Sequence, residues 1–472
     1  MRFNNIARLA FLVPALMLGS ACTDLGLEPT ASVSNDAYFE TVQDFEAAIV
    51  GAYDALSSAS YYGRSIHLMS DIMGEDIKQN SSANRYQEFA DFEGQVVTGH
   101  DYETDLWQLA YIAINRVNMV LSNGETFEPP AALAGDFNQL LGEAYALRGL
   151  VHFDLAKMYG QHYTFTADAS HPGVPIVLEM DITALPARNT VAQVYAQAIS
   201  DLNMGISMMT DTRDGAYMMS KEAAQAILSR IYLYMDDWGN AESMATTVIN
   251  SGKYSLLSGS ALADIFVAGN TSEAIFEIPM SADDTRGSNH LGGMYRDSGY
   301  GDYLPATDLL DLIDAADIRW GWFDVDPALA GAYASYRVDK WPTDTNWDNI
   351  PVIRLAELYL IRAEARARLG QDATAQADLN MIRQRSLPTA PAVTATGQAL
   401  LDEIALERRI ELGYEGHRVH DLMRYKQGFT RNDCTGDVCS ITYPCQFCIL
   451  PIPQPETDTN TNIAQNAGYA GG

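Results

Sequence analysis

A helix–turn–helix unit of about 34 residues occurs more than once in this chain, and this repeat limits the fold more than any other feature. Between Ser220 and Asn250, apolar residues recur at helical spacing, stop at Asp236–Gly239 and then resume. The run from Ile353 to Arg385 has the same plan, with its turn at Gly370. Because such units bury a continuous core only when several of them stack, the sequence predicts a mostly α-helical, tetratricopeptide-like scaffold.

Further helical stretches extend the repeat to about four pairs. One pair runs from about Asp105 to Ser122 and then from Phe137 to Tyr159, and another lies around Val191–Met209. Helical periodicity fades between Gly252 and Pro351, where glycine, aspartate and aromatic residues are concentrated, and also from Asp71 to His100. Long irregular segments in a compact domain commonly carry function, so we expect the ligand to bind at these two segments.

The N-terminal 22 residues are typical of a bacterial lipoprotein signal. Arg2 and Arg8 precede an apolar run from Leu9 to Leu18, and small residues then lead to Cys22. This apolar run is too short to cross a bilayer, which needs about 20 residues as a helix. We therefore predict a signal peptide over 1–21 and lipid attachment at Cys22, the alternative being an ordinary secretory signal with a coincidental cysteine.

The formal net charge is −31, from 61 acidic and 30 basic residues. A phosphate backbone requires a concentrated basic patch, so nucleic acid is excluded as a partner. We interpret the charge as a solvated acidic surface. Calcium sites are the alternative, but the sequence has no DxDxDG-type loop to support them. We predict no cofactor and no metal.

Four further cysteines, Cys434, Cys439, Cys445 and Cys448, lie close together near the C-terminus. In an exported protein this spacing favours two local disulfides, and the sequence leaves the three possible pairings open. A zinc site formed by the four thiolates is the alternative. A redox-active Cys445-x-x-Cys448 is disfavoured because no βαβ pattern surrounds it.

The segment ERRIELGYEGHRVHD, residues 407–421, has the composition of a catalytic or metal site. Glu407 and Glu411 share one helix face, where facing arginines would form charge-assisted bonds. His417 and His420 are three residues apart, a spacing that permits shared metal coordination.

Five segments resemble, in order, the signatures of the SusD/RagB family. They are YALRGLVHFDLAKMYG (145–160), NIPVIRLAELYLIRAEARARLG (349–370), LNMIRQRS (379–386), ERRIELGYEGHRVHDLMR (407–424) and LPIPQPETDTNTNIAQNAGY (450–469). The resemblance implies that the glutamate-rich segment is a structural polar network between the last helices. The cysteine quartet departs from the family pattern.

The resemblance also implies the organisation and role of the chain. We expect a lipidated tether over 22–35, an N-terminal helical region over 36–251, a loop-rich ligand face over 252–350 and a C-terminal helical region over 351–472. Family members are lipoproteins on the outer face of the outer membrane, where they deliver oligosaccharides to a SusC-like TonB-dependent transporter. The implied function is therefore glycan capture without catalysis. Peptide capture, as in the RagB branch, and a surface glycoside hydrolase are the alternatives.

Aromatic rings and polar side chains must converge to bind a sugar, because its C–H face stacks on rings while its hydroxyls form hydrogen bonds. The irregular segments supply eight candidates for these contacts: Asp76, Arg85, Tyr86, Tyr295, Tyr300, Tyr303, Trp320 and Trp322. Tyr300 and Tyr303, set among glycines that allow tight turns, are favoured.

Three residues outside this set are expected to stabilise the fold. We expect Trp107 to belong to the core because its helix places it among apolar residues. We expect Asp317 and Arg319 to form an ion pair that orders a turn.

Overall fold

The computed structural model describes residues 38–81, 83–92, 101–181, 183–210, 215–267, 269–329, 335–434 and 438–469. The predicted signal peptide, the predicted tether and Cys22 lie outside these residues. The helices within them are α1 (Val42–Ser57), α2 (Ser65–Ile72), α3 (Gln87–Ala90), α4 (Asp101–Gly124), α5 (Ala134–Tyr159), α6 (Val191–Met208), α7 (Lys221–Tyr234), α8 (Trp238–Asn250), α9 (Leu291–Tyr295), α10 (Thr307–Leu310), α11 (Leu355–Arg368), α12 (Asp372–Ser386), α13 (Gly397–Glu411), α14 (Arg418–Arg424) and α15 (Gln454–Thr459).

Short antiparallel strand pairs connect distant parts of the chain. The strands are β1 (Ile77–Gln79), β2 (Ala274–Ile278), β3 (Tyr303–Pro305), β4 (Phe323–Val325), β5 (Tyr336–Val338), β6 (Ile350–Arg354), β7 (Phe429–Thr430) and β8 (Ser440–Ile441). The pairs are β1 with β3, β2 with β6, β4 with β5, and β7 with β8. The first pair joins the two irregular segments in which we expected the ligand.

The helices pack as the predicted repeat requires. In the N-terminal half, α4 lies between α1 and α5, and α5 runs along α6. Glycines allow α5 and α6 to approach closely, since a Cβ on Gly142 would lie 2.9 Å from the carbonyl oxygen of Gly205. A longer side chain at either position would push the helices apart.

The two helix–turn–helix units read from the sequence are present. The turn between α7 and α8 contains Asp236 at φ 59°, and Asp237 caps α8 by accepting from the amide of Asn240. The turn between α11 and α12 contains Gly370 at φ 75°, a conformation that favours glycine. The prediction of a mostly helical, tetratricopeptide-like fold is confirmed.

One helix boundary predicted from the sequence is wrong. Ile353 lies in strand β6 and not at the start of a helix, because it pairs with Phe276 of β2. The strand begins at residue 350 and contacts α7 and α11. The expected region boundaries all stay predictions.

The C-terminal segment packs back onto α5. The amide of Leu450 donates to the carbonyl of Met158, and the side-chain amide of Asn466 donates to the carbonyl of Tyr159. The end of α5 is thereby covered by a segment about 300 residues away in sequence.

Candidate functional site

The glutamate-rich segment is a buried structural network, as predicted. Glu411 accepts from Arg319, Arg354 and Arg385 at nitrogen–oxygen distances of 3.2, 2.7 and 2.5 Å. Glu415 accepts from Arg354 and from Lys340, whose Nζ lies 2.7 Å away. Burial by itself raises the pKa of Glu411, but the three arginines outweigh burial and hold that pKa below its ordinary value.

The two histidines of this segment do not form a metal site. His420 contacts the hydroxyl of Ser70, and His417 contacts the guanidinium of Arg408. Burial lowers the pKa of both imidazoles well below the ordinary value. Among the described residues there is no group of three or more metal-ligating side chains. The network therefore joins the last helices and is not available to a ligand.

Five of the eight predicted ligand contacts lie in the interior, which corrects the expectation that they face a ligand. Tyr295 packs against Trp341, and Trp322 lies beneath the Nζ of Lys340 at 4.2 Å. The remaining three are Asp76, which forms an ion pair with Arg409, Tyr86, which stacks on Tyr102, and Tyr303, whose hydroxyl donates to the carbonyl of Arg85. Each of the five is at most 3% exposed.

Trp320 has an intermediate position. Its ring packs against Phe323 and Tyr336, and its indole N–H donates to the carbonyl of Asp314 at 3.0 Å. The ring is half-buried. The predicted ion pair beside it is confirmed, since Arg319 Nη2 lies 2.7 Å from a carboxylate oxygen of Asp317.

Tyr300 and Arg85 come together at the surface. The guanidinium carbon of Arg85 lies 3.4 Å from the centre of the Tyr300 ring, and Arg85 also forms a 3.0 Å ion pair with Asp302. The Tyr300 hydroxyl donates to the side-chain oxygen of Asn289. Both Tyr300 and Arg85 are half-buried, so each offers part of its surface to solvent. A partly exposed ring beside an amide and a guanidinium is a combination that sugar binding uses, and the buried Asp302 carboxylate holds Arg85 in place.

Four residues that were not predicted from the sequence complete this site. Asn289 is exposed and also accepts from Arg64 Nη1 at 2.8 Å. The Arg64 guanidinium lies 5.2 Å from the ring centre of Tyr86 and 6.0 Å from that of Tyr102. Tyr102 lies near the start of α4, and its ring stacks on that of Tyr86. The pairing of β1 with β3, together with contacts such as the ion pair of Arg85 with Asp302, brings the segments that carry Arg85 and Tyr300 together. The Tyr300 cluster comprises Arg64, Arg85, Tyr102, Asn289, Tyr300 and Asp302.

Burial raises the pKa of Tyr86 and Tyr102, whose rings stack on each other next to Arg64. Desolvation raises the pKa of Tyr86 to about 12, and it also raises the pKa of Tyr102. Both hydroxyls therefore stay protonated at neutral pH. They can donate hydrogen bonds but cannot act as bases.

A cystine-stabilised hairpin supports the segment that carries Arg85. Disulfides join Cys434 to Cys439 and Cys445 to Cys448, which resolves the pairing that the sequence left open. From this hairpin Arg431 donates to the carbonyls of Ile72 and Gly74 at 2.9 and 2.8 Å, and also to that of Ala90. Arg431 thus ties the ends of the segment 72–90 together.

Two cavities elsewhere in the described part of the chain are weaker candidates for the ligand site. A cleft of about 650 Å³ lies between α8, α11, α13 and α14, but Arg409, Arg418 and Arg424 in its wall are paired with buried carboxylates. A groove of about 290 Å³ lies beside α4. Trp107 in that groove is only 2% exposed, which confirms its assignment to the core.

Comparison with known proteins gives the same family over nearly the whole chain. Residues 328–469 match the family model described as SusD family, and residues 32–233 match the one described as starch-binding associating with outer membrane. SusD-like protein P2 of Formosa agariphila is 26% identical over 98% of this chain and 99% of its own length. The starch-binding protein SusD of Bacteroides thetaiotaomicron is 38% identical over 29% of this chain and 25% of its own length.

Solved structures share the fold. The crystal structure of a SusD superfamily protein from Bacteroides thetaiotaomicron is 27% identical, with a TM-score of 0.83 over 90% of this chain and 99% of the other. That of a SusD-like carbohydrate binding protein from Bacteroides vulgatus is 25% identical, with a TM-score of 0.78 over 90% and 98%. Because one family model matches residues 32–233, another matches residues 328–469 and the fold is shared over nine-tenths of the chain, the chain belongs to the SusD/RagB family.

Proposed function

We propose that this protein is a cell-surface lipoprotein that captures an oligosaccharide at the Tyr300 cluster and delivers it to a SusC-like TonB-dependent transporter. The observation that carries the proposal is the half-buried Tyr300 ring, which has the Arg85 guanidinium on one face and the exposed amide of Asn289 at its hydroxyl. Trp320, also half-buried, is a second candidate platform.

The chemistry of this cluster suits binding without bond cleavage. A pyranose ring presents C–H groups on its faces, which pack on an aromatic ring, and hydroxyls at its rim. The exposed amide of Asn289 and the guanidinium of Arg85 can form hydrogen bonds with those hydroxyls. SusD family members are binding proteins, so the prediction that this chain is not an enzyme is confirmed.

The names of the relatives support sugar as the ligand class. The Bacteroides vulgatus protein that shares the fold is a carbohydrate binding protein, and the Bacteroides thetaiotaomicron relative is a starch-binding protein. The family description that matches residues 32–233 supports association with the outer membrane. The transporter partner is proposed from the family resemblance of the sequence.

A lipid on Cys22 is the proposed attachment to the membrane. Of the helices that the structure describes, none combines the length and the apolar character needed to cross a membrane. We expect Cys22→Ala to release the protein from the membrane fraction while the affinity for glycan stays unchanged. Persistent membrane residence of this variant would count against the lipid anchor.

The binding site is tested by measuring the affinity of the purified protein for a panel of oligosaccharides and peptides. We expect Tyr300→Ala to weaken glycan binding at least about tenfold, or about 1.4 kcal/mol. The matched control is Tyr217→Ala, because Tyr217 is 39% exposed and lies outside the Tyr300 cluster. Equal loss in the two variants would contradict the proposed site.

Two other outcomes would overturn the proposed function itself. If the protein binds peptides and no glycan, its ligand class is peptide and not oligosaccharide. Release of new reducing ends from a bound glycan would show hydrolysis, which needs a pair of carboxylates flanking the glycosidic bond.

A further inference from the structure

Arg64 is a buried cation whose guanidinium lies near the rings of Tyr86 and Tyr102 but has few hydrogen-bond acceptors. The residue is 6% exposed, and no carboxylate oxygen among the described residues lies within 4 Å of its guanidinium. Its Nη1 donates to the side-chain oxygen of Asn289. The Arg64 guanidinium also interacts with the Tyr86 hydroxyl and lowers the pKa of that hydroxyl, although burial raises this pKa by more. Its Nε is buried and has no acceptor within the described ranges. A buried charge of this kind is unfavourable until an anion or several acceptors approach it.

Two other arginines show how this chain usually satisfies such a group. Arg188 donates to the carbonyls of Gly173 and Pro172 and to further acceptors, among them Asn466. Arg431 donates to three backbone carbonyls. Both lack a carboxylate partner within the described ranges, yet several oxygens surround each of them. Arg64 has the side-chain oxygen of Asn289 as its main acceptor.

The position of Arg64 makes the missing acceptor significant. Its acceptor Asn289 is exposed and also contacts Tyr300, so this one side chain links the guanidinium to the exposed part of the Tyr300 cluster. The carboxylates whose charge raises the pKa of neighbouring Tyr102 are Glu88 and Asp302. Asp302 is already paired with Arg85, and Glu88 is not within 4 Å of Arg64. A ligand group that displaces the Asn289 amide would therefore reach a cation that needs an anionic partner.

We propose that Arg64 is an anion subsite of the Tyr300 cluster and that the captured glycan carries an anionic oxygen group, either a carboxylate or a sulfate ester. This inference rests on the proposed function. A guanidinium matches the planar, two-oxygen geometry of such groups and binds them through paired hydrogen bonds. The formal net charge of −31 does not oppose this, because repulsion from distant carboxylates is screened beyond a Debye length of about 8 Å at physiological salt.

The experiment compares the affinity of the full mature chain for three probes: a neutral galactan, a polygalacturonate and a sulfated galactan. We expect at least one anionic probe to bind about tenfold or more tightly than the neutral one, with a preference that shrinks as salt rises. Which of the two anionic probes is preferred distinguishes a carboxylate from a sulfate. Equal affinity for all three probes would overturn the anion subsite and leave the proposed function standing. If the protein binds none of the three probes and no other glycan, both the anion subsite and the proposed function are overturned.

Substitutions of Arg64 test whether this residue binds a ligand or only stabilises the fold. We expect Arg64→Gln to abolish the preference for the anionic probe and to leave the urea midpoint of the free protein unchanged or higher. Arg64→Lys keeps the charge but loses the paired geometry, so it should retain part of the preference. The matched control is Arg116→Gln, because Arg116 is 40% exposed and pairs with Asp54 on the surface. A preference that survives in Arg64→Gln, or a lost urea midpoint in both Arg64 variants, would overturn the proposal.

Discussion

Replacing Glu411 by glutamine should be one of the most damaging single changes in this protein. The carboxylate lies in the interior and accepts from Arg319, Arg354 and Arg385 at 3.2, 2.7 and 2.5 Å. Glutamine keeps the volume but removes the charge, and its amide N–H groups must then face a guanidinium. Removing one partner of a buried ionic cluster costs about 3–5 kcal/mol.

The remaining carboxylates place the expected loss at the lower end of that range. Arg354 keeps its ion pair with Glu273 at 2.9 Å, and Arg385 keeps one with the same residue at 2.6 Å. Arg319 keeps Asp317 and Glu407. We therefore expect Glu411→Gln to lower the free energy of unfolding by about 3 kcal/mol, measured by urea titration at pH 7.

The pH dependence of this loss follows from the pKa of Glu411, which the three arginines hold below its ordinary value despite burial. The folded state therefore binds this proton less readily than the unfolded state, and the stabilisation is complete above the unfolded pKa of about 4.5. As the pH falls below that value, the wild-type protein loses the stabilisation and the glutamine variant does not. The difference between the two should be constant from pH 5 to 8 and shrink below pH 4.5.

The control is Glu125→Gln, because Glu125 is exposed. We expect its effect to stay within about 0.5 kcal/mol. A loss at Glu411 as small as that of the control, or a difference that grows as the pH falls, would refute the reasoning from the buried cluster.

Two further predictions concern the backbone beside the network and the support of the Tyr300 cluster. Gly416→Ala should lower the free energy of unfolding by about 2 kcal/mol or more, because φ is +78° and a Cβ would lie 2.9 Å from the Cα of His67. The matched Gly239→Ala in α8 meets no atom within 4 Å and should be neutral or slightly stabilising, so equal effects in urea titrations would contradict this explanation. Arg431→Met should speed hydrogen exchange across residues 72–90, because it removes the donors to Ile72, Gly74 and Ala90. Unchanged exchange there would mean that Arg431 does not hold this segment.

Sequence periodicity was sufficient for most of the scaffold. The turn at Asp236–Gly239 and the turn at Gly370 were located because helix ends depend on local capping and on positive φ angles, which particular residues favour. Ile353 was misassigned because its strand pairs with β2, about 75 residues earlier in the chain, and periodicity cannot detect such a partner.

The candidate ligand contacts were harder to predict for the same reason. Tyr295, Tyr300 and Tyr303 lie within nine residues of each other and have the same side chain, yet only Tyr300 keeps part of its ring at the surface. Tyr303 is buried because β3 pairs with β1, and Tyr295 is buried because it packs against Trp341. Composition identified the correct segments, but it could not distinguish a ring that plugs the interior from a ring that faces solvent.

The sequence by itself determined the repeating helical scaffold, the loop-rich middle and the family, because helix formation depends on neighbours within a few turns. Only the tertiary structure decided which aromatic rings are exposed, which cysteines are bonded, and that Asn289 contacts both Arg64 and Tyr300. These outcomes depend on contacts between segments that are up to about 225 residues apart. Such contacts form only when the whole chain packs into one core, and local sequence carries no direct record of them.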